Sequence, residues 1–138
     1  MSNGYTGRLF EEEVLGHCGG SWSGYMTYHQ SLDFVKNNQI WDPTDPSSRT
    51  ANDLHSHVAL ELGLEDWSEL KFYSALKTPL DLFHGVDGFF EFRGTVVTID
   101  VTININKQKY KADLIFHPSD DLEILAYQVA SQLKGGRI

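Results

Sequence analysis

Alternation of apolar and polar positions is densest between Val86 and Phe116. Val86 to Phe92 alternates and is rich in phenylalanine, Thr95 to Asn104 is a β-branched run, and Tyr110 to Phe116 alternates again. Side chains along a strand point to opposite faces with period two, so three strands are predicted. Arg93-Gly94 suits a two-residue hairpin turn in which glycine supplies a positive φ. Centring a hairpin there pairs Phe92 with Thr95, Phe90 with Val97, Gly88 with Ile99 and Asp87 with Asp100. A second turn at Asn106-Lys107 would pair Ile103 with Tyr110, Thr102 with Lys111, Asp100 with Asp113 and Ile99 with Leu114. The expectation is an antiparallel three-stranded meander with its apolar residues on one face and its aspartates on the other.

Elsewhere the apolar spacing is helical. Gly7 to Cys18 places Phe10, Val14 and His17 or Cys18 on an inner side, with Thr6 as N-cap and Glu11, Glu12 and Glu13 favouring the first turn. A second helix follows Thr50 or Asn52, with Leu54, Val58 and Leu62 on one stripe and Gly63 as its stop. In it His55 and His57 are two apart and do not face each other, which weakens H-x-H as a metal pair. A last helix opens on a capping box, Asp120 with Glu123. It lines up Leu122, Leu125, Ala126, Val129 and Leu133, which should cover the Ile99-Val101-Leu114 face.

Three stretches are less regular. Residues 29–50 are polar, with Asp42-Pro43 and Asp45-Pro46, and read as a surface loop. Residues 63–76 fit either a helix or the first strand of the sheet. Gly16 to Tyr28 sets Trp22, Tyr25 and Tyr28 among glycines, either packed under a loop or free to stack on bases. The whole reads as α/β: a single domain over residues 1–138, with a mixed β-sheet flanked by helices.

A chain of 138 residues with 41% hydrophobic and 12% aromatic content is long enough for a sizeable core and is not a disordered composition. Cys18 is the only cysteine, so no internal disulfide or zinc-cysteine cluster can form. A reducing, cytoplasmic setting is expected, and no apolar run reaches the length of a membrane span. The net charge of −8 works against a nucleic-acid partner, since phosphate binding depends on Lys and Arg and only 11 are present. Lys107, Lys109 and Lys111 nevertheless cluster near the aspartates as candidate phosphate contacts. A protein partner or a homodimer would add to the grip on DNA.

The predicted opposition of Asp87 and Asp100 has a cost, because like charges directly across a sheet repel. Two carboxylates roughly 4 Å apart repel by about 4 kcal/mol at an effective dielectric of 20. A hard divalent cation between them, Mg2+ or Mn2+, would remove it. The plain alternative is a polar, solvated sheet face. Asp81 and His84, just upstream in residues 78–85, could reach a metal or a phosphate, or serve as loop caps.

Gly85-Val86-Asp87, followed by a hydrophobic strand ending in Asp100-Val101-Thr102, resembles the PD-(D/E)XK nuclease superfamily, in its restriction-endonuclease-like branch with Mrr-type enzymes and Holliday-junction resolvases. Gly7-Arg8-Leu9-Phe10-Glu11 matches that family's G-x-x-[FA]-E pattern on its N-terminal helix. The resemblance implies a restriction-endonuclease-like fold and Mg2+ or Mn2+ held by Glu11, Asp87, Asp100 and the Val101 carbonyl. It also implies hydrolysis of DNA phosphodiester bonds. One element departs: Thr102 stands where the family has its catalytic lysine. Lys111, placed opposite Thr102 by the predicted register, is the candidate stand-in. The alternative is a catalytically degenerate relative that binds DNA or a protein without cutting, or an interaction module whose acidic face docks a basic partner.

Overall fold

The structure, a computed structural model, describes residues 7–16, 20–39, 41–104, 106 and 110–135. Its centre is a four-stranded sheet in the order β1-β2-β3-β4. These strands are β1 Leu70–Ser74, β2 Gly88–Phe92, β3 Thr95–Val101 and β4 Leu114–Phe116. Among the described residues five α-helices surround it: α1 Gly7–Leu15, α2 Tyr28–Asn37, α3 Arg49–Leu62, α4 Pro79–His84 and α5 Leu122–Leu133.

The β2–β3 hairpin has the register its turn chemistry predicts, with Phe92 opposite Thr95, Phe90 opposite Val97 and Gly88 opposite Ile99. Arg93 and Gly94 both take positive φ, 50° and 82°, as a type I′ turn requires. β1 pairs antiparallel with the other side of β2 and stacks ring on ring across it. Phe72 lies over Phe90 at 4.1 Å and Tyr73 over Phe89 at 4.9 Å. Gly88 is required by close approach rather than by its backbone angles. A Cβ there would sit 3.0 Å from the Tyr73 carbonyl oxygen and 3.1 Å from Leu15 Cδ2.

Alternation along these strands builds two apolar layers. Leu70, Phe72, Phe90, Phe92, Val97, Ile99 and Val101 pack with α1, α3 and α5. Tyr73, Phe89 and Val96 pack with Leu32 and Val35 of α2 and with Leu80 beside α4's start. Each buried Leu, Val or Phe contributes roughly 1.5–3 kcal/mol, so both faces of the sheet are committed to packing. Asp87 and Asp100 lie toward one end of the sheet. Both layers share one sheet, and the chain forms one mixed α/β unit.

Several expectations are corrected. Thr95 to Phe116 does not form a second hairpin. β4 runs parallel to β3, with Ile99 opposite Leu114, Asp100 opposite Ile115 and Val101 opposite Phe116. The antiparallel pairs Asp100 with Asp113 and Thr102 with Lys111 are therefore absent, and of the predicted third strand, Tyr110 to Phe116, only Leu114–Phe116 is strand, entered by a crossover connection from β3. Asp113 instead accepts from the Thr98 amide at 2.9 Å and its hydroxyl at 3.0 Å. The Asn106-Lys107 turn lies partly outside the described residues, as do Thr6 and the His17–Cys18 end of the first predicted helix.

Residues 29–50 are not a loop throughout, because α2 occupies 28–37. Thr27 caps it in a reciprocal box with Gln30, and Leu32 and Val35 are buried. The following segment closes the open edge of β1. Trp41 donates its indole N–H to the Phe72 carbonyl, Pro43 accepts from the Phe72 amide, and Gln39 bonds both backbone groups of Ser74. Exposed edges invite foreign strands, and this cover removes one. Residues 63–76 resolve into a short 3₁₀ turn, Trp67–Glu69, and then β1. α3 starts earlier than expected, capped by Ser48, whose hydroxyl also bonds the Val14 carbonyl. α5 is capped by Asp121, one residue later than expected, while Asp120 accepts from the His117 amide. No helix among the described residues is long and apolar enough to cross a membrane.

Candidate functional site

Asp87 stands one residue before β2, and Asp100 lies within β3 at an alternate position to Thr98 and Val96, the last of which packs with the α2–α4 layer. The two aspartates are 3% and 6% exposed, so two carboxyl groups are almost wholly withdrawn from water. The hairpin fixes their closeness. The Asp87 amide donates to the Ile99 carbonyl at 2.9 Å, although Gly88 is already opposite Ile99, so the ladder slips by one residue here and the predicted pairing of Asp87 with Asp100 is not formed. The Asp87 carbonyl accepts from Ala75 at 2.8 Å. Its Oδ2 accepts from the Val101 amide at 2.8 Å, so the side chain occupies a place a strand carbonyl would take.

Asp81 arrives from the opposite direction. Thr78 caps α4 and Pro79 opens it, which places Asp81 in the first turn with its Oδ2 accepting from the Lys77 amide at 2.8 Å. The Asp87 carboxyl lies within hydrogen-bond reach of both Asp100 and Asp81. Burial, and then the negative charge of Asp81, push its pKa up to about 10, against the opposing pull of the Val101 amide. Asp87 is a carboxyl that keeps its proton where an exposed one would lose it.

These groups open onto a concavity of about 350 Å³ lined by Glu11, Asp81, Asp87, Asp100, Thr102 and Lys111, together with Gly85, Val101 and Tyr110. α1 supplies Glu11 because Phe10 and Val14, a helical turn apart, are both buried in the core, which turns the intervening residue aside. Lys111 reaches the pocket without the predicted ladder. Ala112 is buried with Val86 and Phe89, and the Lys111 stem then crosses Gly85, where a Cβ would meet its carbons at 3.7 Å. Gly85 ends α4 in the left-handed region at φ 67°. The Thr102 hydroxyl accepts from the Asn104 amide at 3.1 Å, and its own amide donates to the Phe116 carbonyl at 3.0 Å.

Six of the nine candidate residues, Glu11, Asp87, Asp100, Val101, Thr102 and Lys111, thus share one pocket. His84 does not join them. Its Nε2 lies 2.9 Å from the Met26 carbonyl and its ring packs against Tyr25 and Tyr28. Lys107 and Lys109 lie outside the described residues. Tyr110 carries no sequence signal, because it sits in the crossover. Asp81 was readable as more than a loop residue: Thr78-Pro79-Leu80-Asp81 has a cap, proline at the first helical position and an acid in the first turn.

Among the described residues, no group of three or more His, Cys, Asp or Glu side chains is arranged as a metal site. The donor chemistry of the pocket still suits a hard cation, since every candidate ligand is an oxygen. A buried carboxyl forced to keep a proton beside other carboxyls is also a place where a cation can substitute for that proton. Val101 turns its amide toward Asp87. In extended backbone the carbonyl of the same residue leaves by the same edge of the strand.

No family model, no curated protein and no solved structure matches the chain.

Proposed function

We propose that this chain is a metal-dependent nuclease-like protein that hydrolyses DNA phosphodiester bonds, in the manner of the PD-(D/E)XK superfamily. The observation that carries the reading is the buried Asp87–Asp100 pair, set at the end of a hairpin in a pocket it shares with Glu11 and Lys111. The motif order, Glu11 on a helix, Asp87 at a strand start and Asp100 on the adjacent strand, is the second support.

In this reading Asp87, Asp100 and Glu11, with the Val101 carbonyl, would hold Mg2+ or Mn2+. Such an ion supplies Lewis acidity toward a phosphoryl oxygen and lowers the pKa of water. The Val101 amide on Oδ2 fixes the rotation of the Asp87 carboxyl toward the pocket. Asp87 must give up its proton before it can bind a cation, so affinity rises with pH. Lys111 brings the pocket's amine: its ammonium donates to a phosphate oxygen and offsets charge developing there. Thr102 shapes the loop through Asn104 and takes no proton.

The second reading is a relative that keeps the site and binds without cutting. Thr102 at the lysine position favours it, as does the acidic net charge of −8. Two measurements separate the readings. Mn2+ or Mg2+ should raise the melting temperature of the wild type and not that of Asp100→Ala; no shift in either removes the metal site. Linear, branched and single-stranded DNA incubated with Mn2+ should be cut by the wild type and not by Lys111→Ala. Metal binding with no cleavage on any of the three leaves the non-cutting relative.

A further inference from the structure

One surface beside the pocket is aromatic, exposed and unused by the proposed chemistry. Segment 22–28 lays its rings on the end of α4 in an unbroken series of contacts. Trp22 meets Phe83 at 5.7 Å and Tyr25 meets the same ring at 5.2 Å. Tyr25 and Tyr28 each meet His84 at 5.8 Å. The segment is pinned at both ends, by Trp22 Nε1 donating to the Lys77 carbonyl at 3.3 Å and by His84 on the Met26 carbonyl. Yet Tyr25 is 67% exposed and Tyr28 36%, so this is not core packing under a loop.

Its position is the informative part. Phe83 and His84 lead directly into Gly85, the residue over which Lys111 crosses to enter the pocket. On the other flank Tyr28 comes close to the crossover: burial, and then the charge of Asp113, raise its phenolic pKa. The ring series therefore ends on His84, the residue next to Gly85 of the candidate pocket.

We infer that Trp22, Tyr25 and Tyr28 form a stacking platform for the bases of an unpaired DNA strand whose backbone enters the Asp87–Asp100 pocket past Lys111. This rests on the nuclease reading for the identity of the polymer and adds the form it takes. In a duplex each base face is covered by its neighbours, whereas an unpaired base offers its face to a ring. Stacking also suits the charge of this chain. With a net charge of −8 it cannot depend on counterion release from many phosphates, and base–ring contact needs none.

Fluorescence anisotropy with a fluorescein-labelled oligothymidylate, in low salt and chelator so that nothing is cut, reads the platform by itself. The wild type should bind this single strand more tightly than a blunt duplex of equal length. Tyr25→Ala should raise the single-strand Kd roughly tenfold and leave duplex binding unchanged. Tyr25→Trp should restore binding, and Tyr25→Leu, with bulk but no π face, should not. Since Tyr25 is mostly solvent-exposed, all three variants should melt with the wild type. Binding by Tyr25→Leu equal to wild type, equal losses on single strand and duplex, or no single-strand binding at all would each overturn the platform, the last leaving a protein partner as the occupant of the surface. Tyr25-dependent binding with no metal-dependent cleavage upholds the platform and removes the nuclease. Cleavage indifferent to Tyr25 does the reverse.

Discussion

Replacing Asp87 by asparagine should make the metal-free protein more stable, although it deletes a charged group at the heart of the candidate site. Asparagine keeps an oxygen to accept from the Val101 amide at the position now 2.8 Å away. Its amide can donate to Asp100 and Asp81, where the carboxyl now needs a proton to do so. The size of the effect follows from linkage. In the folded chain Asp87 holds its proton to about pH 10, against an ordinary carboxyl value of 3.8. Its folded-state pKa is raised, so its stabilising contribution is complete below the unfolded value and is lost as pH rises toward the folded one. Between those limits the folded state binds the extra proton, and stability falls by at most about 1.4 kcal/mol per pH unit.

From pH 5 to pH 8 the wild type should therefore lose up to about 4 kcal/mol through this one group, while Asp87→Asn stays flat. For a chain of 138 residues that corresponds to roughly 14 °C in Tm. The assay is thermal melting in chelator across pH 5 to 9, with both proteins in the same buffers. Added Mn2+ should then raise the wild type toward the variant, because a cation takes over from the proton, and should leave the variant unmoved. A variant that melts lower at pH 8 in chelator, or a wild-type curve flat over that range, would mean that Asp87 is an ordinary ionised carboxylate. The crowding of charge on which the site depends would then be absent.

The acid limb should have the opposite sign. His55 is buried with its ring 2.7 Å from the Leu70 carbonyl, and burial lowers its pKa below 6.5. Its contribution is present above pH 6.5 and lost below it, so His55→Gln should flatten the curve on the acid side alone, as read by melting between pH 4 and 7. Gly88→Ala should cost roughly 1–3 kcal/mol in urea unfolding, since its methyl group would meet the Tyr73 carbonyl at 3.0 Å; an unchanged midpoint would show that β1 gives way freely. Asp113→Ala strips the Thr98 amide and hydroxyl of their acceptor and should cost about 1–3 kcal/mol in the same assay. If its loss instead abolished metal binding with stability intact, Asp113 would be a ligand and not a tether.

What could be read from the residues and what could not divides along a physical line. The Arg93-Gly94 turn fixes a two-residue loop, and a two-residue loop fixes the register as far as Gly88 opposite Ile99. Beyond that the Asp87 amide also bonds Ile99, so the predicted Asp87–Asp100 pairing is out of register by one residue, and the two carboxyls meet through their side chains instead. The hairpin itself is local, and it was legible. The direction of β4 was not, because period-two alternation is the same read forwards or backwards: both the antiparallel and the parallel pairing set Ile99 against Leu114. Charge does distinguish them. The antiparallel choice drives Asp100 against Asp113, a repulsion of about 4 kcal/mol at close range, whereas the parallel one gives Asp100 the apolar Ile115 and hands Asp113 to Thr98. The helix at 28–37 was likewise signalled, by Thr27 and Gln30 at capping-box spacing ahead of Leu32 and Val35, but the prolines that follow made the whole stretch look like loop. Lys111 lay beyond any such rule. Its place depends on Ala112 being buried and on the absence of a side chain at Gly85, two facts that only the folded chain brings together. An acidic pair at the end of a hairpin and an amine delivered by a crossover are separable, so a chain could keep the first while losing the second. The cleavage assay on Lys111→Ala therefore tests the amine, and the melting curves of Asp87→Asn test the pair.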